Sequence, residues 1–351
     1  MIMISSHVAD VVGGVDTHRD LHTAAVVSAD GEVLETKTFT TTGPGSRAML
    51  AWFHSHGNLL RVGVECTGSF GAGITRHLAA SGIPVLEVTG PDPQIRRAKG
   101  KDDTLDAIAA ATAALTGQRV VFAKDRSGVV EALRVLRATR KTAIKCRRVS
   151  LQHLRATIVA APDEIRDHIR SMTRMQLIRH CASLRPATIA YRAPTTATKI
   201  ALRSLARRIL ELNDEITGLD ELIDPLVAEL APALLKINGV GTDCAAQFIV
   251  TAGENPERLT SEAAFAMLCG AAPLPASSGK TNRHRLNRGG NRQANSALHM
   301  IVTSRMRNDP RTQAYVERRL AEGLSKRDIM RCLKRYVARE IHTALTRPTK
   351  A

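Results

Sequence analysis

The sequence predicts an α/β section at the N-terminus, a helical or coiled-coil middle section, and a mainly α C-terminal section. Three observations carry this. Short apolar runs ending in an acid, VVGGVD (11–16) and LRVGVE (60–65), alternate with helical patterns in the first part of the chain. Two long helical runs, 131–160 and 197–230, fill the middle. A Gly-Val-Gly turn, a basic glycine-rich stretch and an Arg-rich helical pattern close the sequence. Strands in meander followed by strands alternating with helices imply a mixed sheet with helices packed on it. The sections are expected at 8–125, 126–231 and 232–346.

In order, VVGGVD is a first strand, and HTAAVVSADGEVLETKTF (22–39) is two strands about a bend at Ala29, Asp30 and Gly31. Residues 46–56 are helical, LRVGVE is a buried strand, 71–81 is a helix and PVLEV (84–88) a further strand. An alanine-rich helix follows, headed by Asp102, Asp103 and Asp106. The run 131–160 carries eight Lys or Arg and one acid, with Val135, Ile144 and Leu151 available for an apolar stripe. With 197–230 it can form an antiparallel hairpin, a dimer coiled coil or an ordinary helical core. LLKINGVGTDCAAQFIV (234–250) places Gly239 and Gly241 in a turn that resembles a helix–hairpin–helix element, which presents backbone N–H groups to phosphate; a plain helix–helix turn is the alternative.

Composition narrows the partners. Lys and Arg number 50 against 33 Asp and Glu, a net charge of +17 over 351 residues. That points to a polyanion, nucleic acid before anionic membrane. No stretch approaches the roughly 20 apolar residues of a membrane span, and the first residues lack a signal-peptide pattern. A cytoplasmic protein is expected. The six cysteines have no zinc-like spacing, and His54 with His56 reads as surface.

The acids are the candidates for chemistry. Asp16 and Glu65 end two apolar strands, and Asp103 and Asp106 share one helix face at i and i+3. If the strands are neighbours and the helix crosses their ends, four carboxylates converge and raise one another's pKa unless a cation intervenes. Oxygen ligands favour Mg²⁺, with Mn²⁺ as substitute, and two such ions can clamp a phosphodiester. Each acid has a plainer role: Asp102 or Asp103 as helix cap, Asp16 as a turn residue before Thr17.

Strand–Asp, strand–Glu and then Lys101-Asp102-Asp103-Thr104-Leu105-Asp106-Ala107 resembles the DEDD signature of a RuvC-like, ribonuclease-H-type domain. Gly239-Val240-Gly241, Gly270-Ala271-Ala272-Pro273, Ser278-Gly279 and Gly289-Gly290-Asn291 follow in order. Together these resemble the insertion-sequence transposases related to the pilin-gene invertases, a family that includes bridge-RNA-guided recombinases. The resemblance implies a bacterial, nucleoid-associated DNA recombinase with Mg²⁺ on Asp16, Glu65, Asp103 and Asp106. It implies Ser278 as the nucleophile that joins a DNA phosphate, with Ser277 the nearest alternative, and on the residues alone Ser278 reads as a turn. It further implies a homo-oligomer, dimer or tetramer, dimerised through the middle section, and a structured noncoding guide RNA. Lys280, Arg283, Arg285, Arg288 and Arg292 are the expected phosphate contacts, with no acid between 279 and 296. Two other readings remain: a junction-resolving Mg²⁺ nuclease using water, and a non-enzymatic architectural protein.

Overall fold

The computed structural model describes residues 9–88, 102–255, 259–279 and 284–346. They form two compact units, one within Met1–Gly128 and Ala252–Ser261, the other within Val129–Thr251 and Glu262–Ala351.

The first unit is built on a six-stranded mixed sheet. Its strands are β1 (Asp10–Thr17), β2 (Leu21–Ser28), β3 (Val33–Thr40), β4 (Asn58–Glu65), β5 (Val85–Val88) and β6 (Val120–Phe122), in the order β3-β2-β1-β4-β5-β6. The first three form an antiparallel meander, β1, β4 and β5 are parallel, and β6 returns antiparallel. Among the described residues of this unit, only the short β6 lies outside the expected elements. Helices α1 (Gly43–His56) and α2 (Ala72–Ala80) cover one face, where Val11, Val15, Val62 and Val64 pack with Trp52, Phe53, Ile74 and Leu78. The opposite face receives α3 (Asp103–Thr116) through Val12, Val27, Leu86, Ala111 and Ala114. Burial on both faces explains why the central strands read as continuous apolar runs.

Two strand glycines set how closely α3 lies. A Cβ on Gly14 would stand 2.7 Å from Ala111 Cα, with Ala111 N and Ala107 O nearer still. One on Gly63 would stand 3.0 Å from Ala114 Cβ, with Ala110 O nearer. The helix answers with Ala107, Ala110, Ala111 and Ala114, all fully buried. A bare strand backbone against a stripe of methyl groups is the close approach that interior strand glycines permit.

In the second unit, α4 (Gly128–Val159) pairs with α7 (Pro194–Leu230); the short α5 (Asp163–Ile169) and α6 (Arg174–Ser183) lie between them in sequence. Positions 133, 137, 140, 144, 147, 151, 154 and 158 of α4 alternate four and three apart and turn inward. So do positions 202, 206, 209, 213, 216, 220, 223 and 227 of α7. Arg140 bonds Asp220, Arg147 bonds Asn213 at 2.9 Å, and Leu154 shares a core with Ala206. Partners fall along α7 as positions rise along α4, so the helices run antiparallel with heptad spacing. The long runs therefore make a hairpin within one chain. Val135, expected on the stripe, is half-exposed and lies off it, whereas Ile144 and Leu151 lie on it. The chain then continues through α8 (Pro232–Leu235), α9 (Thr242–Ala252), α10 (Glu262–Leu268), a small β7–β8 ladder (Leu274–Pro275 with His284–Arg285), α11 (Arg292–Asn308), α12 (Pro310–Ala321) and α13 (Lys326–Thr346).

Candidate active site

The acids meet at the carboxyl ends of parallel strands β1 and β4, where ligand sites form in open α/β sheets. Val15 pairs with Val64, so Asp16 and Glu65 follow side by side. They share the face of Gly14 and Gly63, the face on which α3 rests. Asp16 lies inside β1, not in a turn, and is buried.

The three acids of α3 divide their work. Asp102 is the N-cap: its backbone is extended and its Oδ1 accepts from Thr104 N at 2.7 Å. That leaves Asp103 and Asp106 in the first turn without a capping duty. Asp106 is buried against the sheet, and Asp103 is exposed. Gly117, left-handed at φ 69°, ends the helix.

His18 joins the acids. Its Nε2 lies 3.1 Å from Asp16 Oδ2 and 3.2 Å from Asp103 Oδ1. One ligand atom from each of Asp16, His18 and Asp103 falls within 4.8 Å of the others. Burial pushes the Asp16 carboxyl above its ordinary value; His18 works against this, while the charges of Asp103 and Asp106 add to it. Desolvation likewise raises the Cys66 thiol, with Glu65, Asp16 and Glu87 adding. Glu65 and Glu87 are thus electrostatic neighbours of the same corner. His22, opposite Thr17 on β2, is pushed below its ordinary value by burial and then by His18.

Sequence reasoning missed His18, His22, Glu87 and Arg126. His18 stands two residues after Asp16 and was findable as a third potential ligand beside a strand-end acid. Glu87 is the interior acid of PVLEV. Arg126 had no local signal: a Cβ on Gly68 would meet its guanidinium at 2.6 Å, which places that cation on the loop after β4.

The C-terminal motifs are described apart from this corner, in the second unit. Gly270 and the Gly289-Gly290-Asn291 turn pack on each other. A Cβ on Gly270 would meet Gly289 O at 2.8 Å, and one on Gly290 would meet Leu268 O at 2.6 Å. Asn291 N donates to Leu268 O, and the Asn291 side chain caps α11. Gly239 takes φ 77° and faces α11, where Arg305 Nε donates to Asn238 O at 2.8 Å. Ser278, Arg285, Arg288 and Arg292 are exposed, and Gly279 is left-handed at φ 55°. Lys101, Lys280 and Arg283 lie outside the described residues.

A mixed sheet with acids at the ends of β1 and β4 and on the crossing helix is compatible with the ribonuclease-H-like class of α/β folds. Residues 13–161 match the DEDD-type IS110 family described as transposase, and residues 231–317 match the family described as transposase IS116/IS110/IS902. Over these two stretches the chain is similar, in order, to the IS110-type transposases. It is also 33% identical, over 134 residues, to the insertion element IS110 uncharacterized 43.6 kDa protein of Streptomyces coelicolor. That match covers 37% of this chain and 33% of the relative, so it spans about a third of the relative's length.

Proposed function

We propose that this chain is a DNA transposase, a site-specific recombinase that cuts and rejoins the ends of an insertion sequence. The observation that carries the reading is the gathering of Asp16, Asp103 and Asp106 around one corner of a ribonuclease-H-like sheet, with Glu65 beside Asp16 in register. The donor set fits a divalent cation: carboxylate oxygens, one of them buried with its carboxyl held above its ordinary value, favour Mg²⁺ or Mn²⁺. Asp16, Glu65, Asp103 and Asp106 would hold it, with His18 as an added contact. When bound, such a cation neutralises the carboxylates and the phosphate and lowers the pKa of a hydroxyl ligand.

The nucleophile in this reading is Ser278. Its Oγ attacks a DNA phosphorus, a serine–phosphate ester forms, and one strand's ester oxygen leaves as a hydroxyl that carries away the proton the serine gives up. A hydroxyl of the joining strand then reverses the step. Arg285, Arg288 and Arg292, with Lys280 and Arg283, hold the phosphates, and the turn at Gly239 and Gly241 adds backbone donors. The working unit is a homo-oligomer in the cytoplasm, and a structured noncoding RNA supplies sequence recognition while the protein reads backbone shape, by analogy with other guided systems. The acidic corner needs no residue outside the first unit, which favours one second reading: a resolvase-like nuclease in which water replaces Ser278.

One experiment separates them. Purified protein is incubated with element-end DNA and Mg²⁺, and covalent protein–DNA product is resolved under denaturing conditions. An adduct lost in Ser278→Ala and kept in Ser277→Ala supports the recombinase. Strand cleavage without adduct, unchanged in Ser278→Ala, supports the nuclease.

A further inference from the structure

The second unit holds a cavity of about 720 Å³ that none of the motifs above explains. It is lined by the Gly270 loop, by β8 and the residues after it, and by the first half of α13. All of α13 lies beyond residue 317, where the family match ends. Five of its lining residues are Lys or Arg, and one, Asp328, is an acid. That acid is already engaged by Arg331 at 2.8 Å and by Ser325 at 2.6 Å.

Two of the cations are built in. Lys334 is half-buried, and its Nζ donates to Asn295 Oδ1 at 2.8 Å. Asn295 in turn donates to the carbonyls of Cys269 and Gly270, both at 2.9 Å. The ammonium is thus fixed to the loop that walls the cavity, yet the partner it is fixed to is a neutral amide. Arg335 gives Nη2 to Glu262 at 2.7 Å, while its Nη1 is buried with no hydrogen-bond partner among the described residues. A buried guanidinium N–H without an acceptor costs free energy unless something occupies the space beside it. Arg285 and Arg327 stand exposed at the rim.

The rest of the lining mixes polar side chains, His284, Asn287 and Ser325 among them, with an apolar part made by Pro273, Leu286, Leu324 and Tyr336. Leu286 and Tyr336 are about half-exposed, and the Tyr336 ring is braced edge-on by Tyr315 at 5.8 Å between centroids. A cavity that pairs fixed cations with an aromatic face matches a phosphate joined to a flat base. The phosphates of a duplex lie on a convex surface with their bases turned inward, so a duplex can use the rim but not the interior.

We propose that this cavity binds one unpaired nucleotide of a single strand, its phosphate on Lys334 and Arg335 and its base against Tyr336 and Leu286. The inference rests on the reading of the chain as a nucleic-acid enzyme and adds to it a site for extruded or single-stranded nucleic acid. The strand is either a DNA end opened during recombination or an RNA loop, and the shared chemistry is the nucleotide itself.

The test measures binding by fluorescence anisotropy with three probes: a dT oligonucleotide, a U oligonucleotide and a mixed-sequence duplex. The proteins are wild type, Lys334→Gln, Arg327→Gln and Tyr336→Ala, each checked by thermal melting. Lys334→Gln and Tyr336→Ala should each weaken single-strand binding on the order of tenfold and leave duplex binding within twofold. Arg327→Gln, at an exposed residue, cannot unfold the unit and should lower the single-strand salt slope by about 0.7. A larger loss on dT than on U identifies the DNA end, and the reverse identifies the RNA. Unchanged single-strand affinity in all three variants overturns the proposal, as does an equal loss on duplex and single strand in Lys334→Gln and Tyr336→Ala. Cavity-dependent binding in a protein with no strand cleavage would sink the transposase reading alone, and cleavage with cavity-independent binding would sink this inference alone.

Discussion

Replacing Gly14 by alanine tests whether the bare sheet positions the acidic corner. The added Cβ would stand 2.7 Å from Ala111 Cα. Carbon atoms at ease are about 3.5–4.0 Å apart, so α3 must retreat by roughly 1 Å. Overpacking costs about 1–3 kcal/mol, and backbone on both sides argues for the upper end. A melting point lower by about 6–12 °C follows, using roughly 2–4 °C per kcal/mol. Because Asp103 and Asp106 ride on the same helix, the retreat also withdraws them from Asp16, and a 1 Å misplacement costs on the order of 10²-fold in rate. The assay pairs thermal melting, with and without Mg²⁺, with strand cleavage. Gly73→Ala is the control: it sits in α2 with nothing within 4 Å of its added Cβ. There the substitution should stabilise by about 0.4–1 kcal/mol through the unfolded chain. A Gly14→Ala protein that melts and responds to Mg²⁺ like wild type would refute the argument that glycine sets the approach of α3.

Four further outcomes are expected. Asp16→Asn should raise the melting point in cation-free buffer at neutral pH and abolish any Mg²⁺-dependent rise, which for a wild-type site at a hundred times its Kd is about 2.7 kcal/mol. The sign follows from linkage: a carboxyl held above its ordinary value binds protons more tightly when folded. Stability therefore falls as pH rises from the ordinary carboxylate value through the folded one, and the variant should lose that slope. Asp102→Ala should cost about 1 kcal/mol as a lost cap, read by urea melts, with cleavage reduced far less than in Asp106→Ala. In the hairpin, Asp220→Leu alone should cost roughly 1–3 kcal/mol by leaving Arg140 only its long contact to Asp243 at 3.5 Å, and Arg140→Met with Asp220→Leu should recover it, as denaturant midpoints will show. Nucleic-acid affinity should fall steeply between low and moderate salt, and flat binding would contradict a basic footprint.

Much of the first unit was legible because its signals are local. Apolar runs bounded by turn residues gave the strands, and the Asp102–Asp103 pair marked the start of α3. The ambiguity over which aspartate caps was settled by geometry, since only the extended residue at 102 can turn its side chain back onto Thr104 N. The role of Gly14 and Gly63 was not legible, because a strand glycine says nothing about which helix lies over it. The hairpin was legible only as two periodic runs. That they pair within one chain depends on Arg140 meeting Asp220 and Arg147 meeting Asn213, contacts between residues 80 and 66 positions apart. His18 carried one local signal, its place two residues after Asp16, but its second acidic neighbour was not legible, because Asp103 arrives from α3, at 3.2 Å. The cavity beside α13 escaped because four of its cations read alone as one solvated basic helix, and the Gly270 loop and Arg285 that wall it come from distant sequence.

The placement of acids in a chain of net charge +17 also argues for chemistry over architecture. A protein that only bound nucleic acid would gain by presenting cations wherever phosphate comes near, and a buried carboxylate would oppose that contact. Here the fold places Asp16 out of solvent beside two further carboxylates, with its carboxyl pushed above its ordinary value, and His18 offsets only part of the cost. Asparagine at the same positions would fill the same space without the repulsion. The acids are therefore retained against stability, and what relieves them must be positively charged and must also tolerate phosphate. A divalent cation meets both conditions: it lowers the repulsion among the carboxylates and attracts the phosphate that they would otherwise repel. If charge at this corner served only the fold, Asp16→Asn would be destabilising and strand cleavage by the folded protein would persist. Stabilisation coupled to loss of cleavage is the pattern that a reaction site predicts and an architectural one does not.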